Sequence, residues 1–577
     1  MATFPSFKVK APKQSNHNRS HYYRGSFGVG PIYPVGVRLC LPGDIIDTSV
    51  EALVNTQALL TPKYGSFELK VEAFFAPLDL YVPKLRYSRN LYNLSTGQVD
   101  FGFPVLYPAG SSDGNMAPGS REGISYATWR AEANSMLSFL GLGPGFIPFV
   151  TTGEPPVPIS VFGRRFNGIP FLMYYDIIRT YYANQQKETF TVISREGSVP
   201  DSPKFAYSQV NRASLDKIYT EVLANNESQN VIQLFLNNLT GSTDGKAWLA
   251  AVERGKTLAG LALRCYKPDM KTVFLNKEFL DNNSVQSKVI PSSDGSFTYE
   301  QIIMAKKMRT IGWKNALAGS TFKDWIRSQY GVTPRLMDDM PTYIGSWSTD
   351  ILFDDIRATA TTQVGKDTQF LGDKASSGRG YAGGSSRRVV CDRPGYLMYM
   401  LSIVPRVDYA SFVDRYALDT KLSDLFVNEL NGVGLDDLLV SDLCNHSYPE
   451  EAVGETGAKA YPIYKVGAYS SPVTIYSSAL AKQPAWMSYM SDVNRVNGRF
   501  YDNVAMRSWV NLREFEYTVL KDVPGPGSVP TFADEIHPDE WNAGFTDVSI
   551  TAENFLVQLN IEDVVRSNVA KRLMPHL

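Results

Sequence analysis

Cysteine is scarce in this 577-residue chain. There are only four cysteines, Cys40, Cys265, Cys391 and Cys444, and no two of them are close in sequence. The absence of a Cys-x-x-Cys pair argues against a disulfide framework and against a cysteine zinc site. We therefore expect reduced and mostly buried thiols.

Long apolar runs are also missing. No stretch of 18 or more apolar residues occurs, and the lysines near the N-terminus are not followed by a continuous apolar segment. The sequence therefore predicts neither a signal peptide nor insertion into a membrane.

The chain has almost no net charge, because 57 Lys and Arg residues balance 58 Asp and Glu residues. A hydrophobic fraction of 44% with 20% charged residues is sufficient for a large globular core. The molecule as a whole is thus not an evident polyanion binder. Its charge is nevertheless uneven, since no acidic residue precedes Asp44.

Signals for catalysis are weak. The five histidines show no His-x-His or His-Glu-x-x-His spacing, and the segment GLGPGF (141–146) lacks the Lys-Ser/Thr of a phosphate-binding loop. The adjacent acidic pairs at 338–339, 354–355 and 436–437 would point to opposite faces of a strand rather than across a cleft. We predict no catalytic residue, no metal site and no cofactor.

Strand patterns occur near both ends of the chain, and helical patterns lie between them. Alternating or apolar strand segments cover 67–73, 395–406 and 554–565, whereas 169–186 has aromatic residues at helical spacing. The segment 320–332 predicts a helix with Ser320 or Thr321 as N-cap and Gly331 as its end. With the long Gly/Pro/Ser-rich loops, this pattern favours a mainly β antiparallel sandwich with large helical and loop insertions.

The first 26 residues form a predicted basic arm, and residues 27–577 form one predicted domain. Aromatic residues alternate with cations in the arm, and two further cations lie near the C-terminus. Cations and aromatic rings together suit the phosphates and unpaired bases of single-stranded nucleic acid. The candidate DNA-binding residues are Lys8, Lys10, Lys13, Arg19, Tyr22, Tyr23, Arg24, Lys571 and Arg572. An ordinary solvated tail explains these residues equally well.

Strings along the whole chain resemble, in order, the major capsid protein of gokushovirus-like Microviridae. They begin with FGVGPIYPVGVRLCLPGDIIDTSVEALVNTQALLTP (27–62) and VEAFFAPLDLYVP (71–83). They continue with GIPFLMYYDIIRTYY (168–182), FKDWIRSQYGVT (322–333), PTYIGSWSTDILFDDIRATATT (341–362) and QPAWMSYMSDVNRVNGRF (483–500), and the chain closes with RLMPHL (572–577). The segment QPAWMSYM departs from the family pattern, which indicates a divergent branch.

The resemblance implies an eight-stranded antiparallel jelly roll of the viral capsid type. Copies would assemble into a T=1 icosahedral shell around circular single-stranded DNA, so the protein would be a homo-oligomer in a bacteriophage virion, assembled in the bacterial host cytoplasm. Scaffolding, pilot and small basic DNA-binding phage proteins and a host cell-surface receptor would be its further partners.

The resemblance also suggests where subunits meet. The chain after Pro83 would pack on neighbouring subunits, which makes Arg86 and Tyr87 candidate interface residues. Trp486, Met487 and Tyr489 are candidate interface or sub-barrel anchors, with plain core packing as the alternative.

Residues 187–300 match no family string. We expect this segment to be an insertion that projects from the shell near a three-fold axis and takes part in host attachment. An internal loop that thickens the shell is the simpler alternative.

A carbohydrate-binding or carbohydrate-active β-sandwich is the second interpretation. The aromatic fraction of 12% and a jelly-roll architecture would suit stacking on sugars equally well. Proteins of that class are usually exported, and the predicted lack of a signal peptide argues against it.

Overall fold

The computed structural model describes a large part of the chain. The described residues are 14–82, 84–87, 103–109, 124–131, 133–143, 145–152, 166–185, 187–193, 207–213, 215–216, 219, 232–234, 260–265, 302, 305–306, 309–310, 321–334, 339–357, 362–364, 367–369, 374–410, 412–428, 435–439, 479–513, 536, 541–542, 544–549 and 552–569.

Strands dominate the described residues. In chain order they are β1 Ser15–Asn18, β2 His21–Phe27, β3 Ile32–Cys40, β4 Ile45–Thr56, β5 Phe67–Pro77, β6 Pro104–Ala109, β7 Ile124–Ala131, β8 Gly145–Thr152, β9 Phe166–Asn167, β10 Thr189–Ile193, β11 Tyr207–Asn211, β12 Ile232–Leu234, β13 Gly260–Cys265, β14 Thr342–Arg357, β15 Thr362–Val364, β16 Asp367–Gln369, β17 Lys374–Ala382, β18 Arg387–Val390, β19 Gly395–Pro405, β20 Asp408–Tyr409, β21 Leu435–Leu439, β22 Ala479–Pro484, β23 Asn494–Arg495 and β24 Phe555–Ser567.

Helices in the described ranges are few and mostly short. They are α1 Leu78–Tyr81, α2 Lys84–Tyr87, α3 Ile169–Ile177, α4 Phe322–Tyr330, α5 Arg415–Leu418, α6 Met487–Met490, α7 Arg499–Asp502 and α8 Val504–Arg507, with π turns at Ser138–Leu142 and Ile178–Tyr182 and a 3₁₀ turn at Leu422–Asp424. The prediction of a mainly β protein is therefore confirmed.

One large curled antiparallel sheet organises the molecule. Its ten strands follow the order β1-β24-β4-β17-β14-β5-β19-β3, with β18 also paired to β4 and β2 also paired to β24. The long strand β14 pairs with β5 through its first part and with β17 through its last part. It thereby carries the sheet from one layer to the other.

The core lies between the two layers of the curled sheet. Phe67 of β5 contacts Phe555 of β24 with ring centroids 5.2 Å apart. The Tyr399 hydroxyl of β19 lies 2.8 Å from Thr48 Oγ1 of β4. Such contacts bury apolar side chains from both layers, which is the main source of stability in a sandwich.

The predicted strands are confirmed by their alternation of buried and exposed residues. In β24, Phe555, Val557, Leu559 and Ile561 are buried and share the face toward the core. Strand β5 alternates in the same way at its start, but from Val71 onward it is buried on both faces. This second face is covered partly by Tyr181 and Tyr182 of the π turn that follows α3, which contact Phe74.

The two predicted helices are also confirmed. Helix α4 begins after Thr321, whose hydroxyl accepts a hydrogen bond of 3.2 Å from the Asp324 backbone N–H. It ends at Gly331, which has the left-handed conformation that favours glycine (φ 75°). Helix α3 occupies 169–177 and continues as a π turn through Tyr182, within the predicted range 169–186.

Residues 15–18 and 21–26 of the predicted N-terminal arm belong to strands of the large sheet. Strands β1 and β2 both pair with β24, Ser15 opposite Ser567 and Phe27 opposite Phe555. The predicted boundary at residue 26 thus falls inside β2. Residues 1–13 lie outside the described residues.

Candidate functional site

The outward face of β2 presents part of the predicted DNA-binding set. Tyr22 is 62% exposed, and the Arg24 guanidinium lies 5.7 Å from the centroid of its ring. Arg24 Nε also donates a hydrogen bond of 2.8 Å to Gln558 Oε1 on the neighbouring strand β24. A ring and a cation are therefore held side by side on a rigid strand, which is a suitable arrangement for a base and a phosphate.

Tyr23 and Arg19 have different surroundings. Tyr23 stacks with Phe27 and is only partly exposed, and this burial raises the pKa of its hydroxyl to about 12. Arg19 donates a hydrogen bond of 3.2 Å to the Leu39 carbonyl oxygen of β3. The alternation along β2 thus separates Tyr22 and Arg24, which face outward, from Tyr23, which faces the protein.

Beneath these strands lies a polar network that the sequence analysis did not identify. Arg38 Nη2 lies 2.8 Å from His21 Nδ1, and Arg38 Nε lies 3.6 Å from Asp563 Oδ2. The Tyr399 hydroxyl donates a hydrogen bond of 2.8 Å to Asp563 Oδ1. Burial, followed by repulsion from Arg38, lowers the pKa of His21. The network connects β2, β3, β19 and β24.

Arg86, a predicted interface residue, is engaged within its own chain. Its Nε lies 2.8 Å from Asp79 Oδ2, and its Nη1 lies 3.4 Å from Asp339 Oδ1. Asp79 is fully buried and also pairs with Arg393 at 3.3 Å. Because only 12% of the Arg86 side chain is exposed, its position supports an internal structural role. The side chain of Tyr87 lies outside the described residues.

Trp486 and Tyr489 lie together in an aromatic cluster. Trp486 has a positive φ of 66°, which no other described non-glycine residue shares, and α6 starts directly after it. Its ring contacts Phe426 at 5.2 Å and Tyr489 at 6.1 Å between centroids. The positive φ costs about 1 kcal/mol or more. A tertiary contact such as the one with Phe426 must offset this cost.

The cluster is incompletely covered. Leu422 is 84% exposed and Met490 is 64% exposed. Four of the six residues in the segment 422–427 are apolar, and Phe426 packs on Trp486 and on Tyr489 of α6. We call this surface the apolar patch, and it consists of Leu422, Leu425, Phe426, Val427, Trp486, Met487, Tyr489 and Met490. Trp486 and Met487 are half-buried, whereas Tyr489 is 57% exposed.

The predicted residues Trp486, Met487 and Tyr489 are thus brought together, and none of them is part of the central core. The sequence analysis missed the segment 422–427. The run Leu425-Phe426-Val427 between polar residues was the signal that could have identified it.

A groove of about 550 Å³ adjoins the apolar patch. It is lined by aromatic residues, among them Phe412, Tyr416 and Tyr489, and by carboxylates. Arg495 pairs with Asp414 and lies 3.2 Å from Asp492, which fixes the charged wall of the groove. Among the described residues, no group of three or more His, Cys, Asp or Glu side chains could hold a metal ion.

Five of the predicted DNA-binding residues lie outside the described residues, namely Lys8, Lys10, Lys13, Lys571 and Arg572. Much of the predicted insertion 187–300 does so as well. Its described parts include the hairpin β10–β11, which buries Phe190 and Val210, and the strands β12 and β13, which extend a sheet with β6 and β9.

None of the helices in the described ranges has the length and apolar character needed to cross a membrane. No protein-family model matches the chain, and no curated protein matches it significantly.

Proposed function

We propose that the protein is a major capsid protein of a small single-stranded DNA bacteriophage. Its copies associate into a T=1 icosahedral shell around a circular genome, and it has no catalytic role. The apolar patch is the observation that carries this proposal. Leu422, Leu425, Phe426, Val427, Tyr489 and Met490 are each at least 39% exposed, and Phe426 contacts Trp486 and Tyr489. Clusters of exposed apolar side chains are typical of surfaces that contact other proteins.

We further propose that the curled sheet is an eight-stranded jelly roll with strands added at its edge. The path through the sheet supports this, because β1, β24, β4 and β17 follow one another, and β14, β5, β19 and β3 complete the path. Strands from the two ends of the chain are neighbours, as in β24 beside β4. Long excursions leave the barrel between β5 and β14 and between β19 and β24, where interface surfaces can be built without disturbing the barrel.

Assembly is tested with the purified chain. The protein, alone and with scaffolding protein from the same phage, should sediment as closed shells that are visible by negative-stain electron microscopy. A protein that remains monomeric at high concentration under both conditions contradicts the proposal.

The exposed face of β2 and the basic N-terminus are proposed to contact the genome. Tyr22 and Arg24 support this role because their side chains lie together and outward on a strand. Replacing Lys8, Lys10, Lys13 and Arg24 with serine should lower the DNA content of particles while shells still form. The conservative set with arginine at the lysine positions and Arg24→Lys serves as the control. Unchanged packaging in the serine variant would assign the neutralising charge to a separate basic protein.

Host attachment is proposed for the segment 187–300. The hairpin β10–β11 is packed into the protein, so the informative deletion leaves it intact and removes residues 235–259 between β12 and β13. These two strands are antiparallel neighbours, with Leu234 opposite Leu261, and a short Gly/Ser turn can therefore connect them. Shells should assemble but adsorb poorly to cells. Normal adsorption by these shells would place the receptor contact elsewhere.

Carbohydrate binding remains the second candidate, and the groove beside the apolar patch is the observation that favours it. Tyr416 is 77% exposed and faces a groove that also contains carboxylates, which can accept hydrogen bonds from sugar hydroxyls. Glycan-array binding that is lost in Tyr416→Ala, by a protein that does not form shells, would favour this function over the capsid proposal.

A further inference from the structure

Two of the four cysteines are brought together from distant parts of the sequence. Cys40 ends β3, and Cys391 lies in the turn between β18 and β19. Both residues are buried, with exposed fractions of 0% and 1%. Because 351 positions separate them, nothing in the local sequence indicates that they are neighbours.

The backbone explains why they meet. Cys40 lies opposite Gly395 in the β3–β19 pair, and Val390 lies opposite Ile45 in the β18–β4 pair. The segments 40–45 and 390–395 therefore run side by side, and each connects the β3–β19 pair with the β18–β4 pair. The Gly43 N–H donates to the Cys391 carbonyl oxygen at 2.7 Å, and the Cys391 N–H donates to the Asp44 carbonyl oxygen at 2.9 Å. Cys391 is therefore attached to the turn that directly follows Cys40.

The side chains complete this arrangement. Cys40 is the neighbour that contributes most to the raised pKa of the Cys391 thiol, ahead of burial. Cys40 Sγ is also 3.7 Å from the Arg38 carbonyl oxygen. A thiol kept protonated is a poor nucleophile, so the pair is stable as two thiols under reducing conditions at neutral pH.

We infer that Cys40 and Cys391 are a latent disulfide site that closes when the protein meets an oxidising environment. Formation of this disulfide depends only on the relative positions of β3, β4, β18 and β19, and we expect it whether or not the protein forms a shell. Closure would covalently join the β3–β4 turn to the β18–β19 turn. The bond would thus link the end of β3 to the segment that leads into β19.

The oxidant is a small-molecule disulfide, written RSSR. The thiolate of one cysteine attacks a sulfur of RSSR, forming a mixed disulfide and releasing RS⁻, which takes up a proton. The second thiolate attacks the protein sulfur of the mixed disulfide, forming the Cys40–Cys391 bond and releasing the second RS⁻, which is also protonated. Two protein thiols are oxidised, and one RSSR is reduced to two RSH.

The experiment uses the full-length chain with bis(2-hydroxyethyl) disulfide as the probe at pH 8.5. After alkylation of the remaining thiols and proteolysis, mass spectrometry should find the Cys40 peptide linked to the Cys391 peptide, two hydrogen atoms lighter than the sum of the two. Oxidation should also raise the thermal unfolding midpoint by roughly 5 °C, because the bond closes a very long loop in the unfolded chain. Protein unfolded in guanidinium serves as the control for reagent activity.

Two variants keep the test decisive. Cys40→Ser should abolish both the linked peptide and the rise in midpoint, whereas the double variant Cys265→Ser/Cys444→Ser should retain both. Separate mixed disulfides on Cys40 and Cys391, linkage to Cys265 or Cys444, or two thiols that stay alkylatable in the folded protein would each overturn the inference. If Cys40→Ser does not fold, peptide mapping of the wild-type chain decides the question alone.

Discussion

Replacing Leu422 with serine tests the proposed assembly surface most directly. Leu422 lies in the 3₁₀ turn of the apolar patch and is 84% exposed in the single chain. Its substitution should therefore leave the free energy of unfolding of the unassembled subunit nearly unchanged. Any effect on assembly then reports on contacts between copies.

The size of the effect on assembly follows from the apolar area of Leu422 that contact between copies would bury. Full burial of a leucine side chain stabilises by about 1.5–3 kcal/mol, and nearly all of this is still available at Leu422. Loss of about 2 kcal/mol per copy corresponds to roughly a 30-fold increase in the concentration at which shells form. Light scattering combined with analytical ultracentrifugation over a concentration series measures that threshold.

Two controls separate assembly from folding. Leu60→Ser changes a leucine that is 67% exposed but lies outside the apolar patch, and it should have a much smaller effect on the threshold. Leu401→Ala removes a fully buried side chain, and it should lower the free energy of unfolding by about 2–5 kcal/mol. If Leu422→Ser assembles at the wild-type concentration, the apolar patch is not a contact between subunits and the reasoning from its exposure fails.

Three further predictions concern charge and packing. Burial and Arg38 lower the pKa of His21 from 6.5, so near and below that pH the unfolded chain binds more protons than the folded chain, and the free energy of unfolding should fall as the pH drops. Chemical denaturation between pH 7.5 and 5 should show a shallower fall for His21→Gln than for the wild type. Identical slopes would refute this prediction. Burial lowers the pKa of Lys63 to about 8, so the charged form costs stability below pH 8 and this cost is relieved as the pH rises toward 10.5. Lys63→Met should therefore raise the free energy of unfolding at pH 7 by up to about 3 kcal/mol, whereas a destabilised variant would show that the ammonium contacts with the Phe67 and Phe545 rings outweigh its desolvation. Thr321→Ala should lower the free energy of unfolding by about 1 kcal/mol in denaturant titrations, because it removes the capping hydrogen bond of α4. Thr321→Ser should have little effect, because serine also caps a helix N-terminus, and equal losses in the two variants would exclude the capping hydrogen bond as the cause.

Local features of the fold could be predicted from the sequence because their causes are local. The alternation in β24 and the start of β5 reflects the two-residue period of a strand, and the ends of α4 are set by Thr321 and Gly331. The overall class, mainly β with a few helices, followed from such segments. The predicted grouping of Trp486 with Tyr489 also followed from residues close in the chain.

Tertiary structure decided which distant segments meet. The pairing of β2 with β24 joins residues more than 500 positions apart, and it places Tyr22 outward and Tyr23 inward. The contact of Phe426 with Trp486, the internal ion pair of Arg86 with Asp79, and the meeting of Cys40 with Cys391 have the same origin. The sequence determined periods, caps and breaks, because these depend on neighbours along the chain. Partners across the sheet depend on register and on the burial of whole layers, and only the folded chain fixes these.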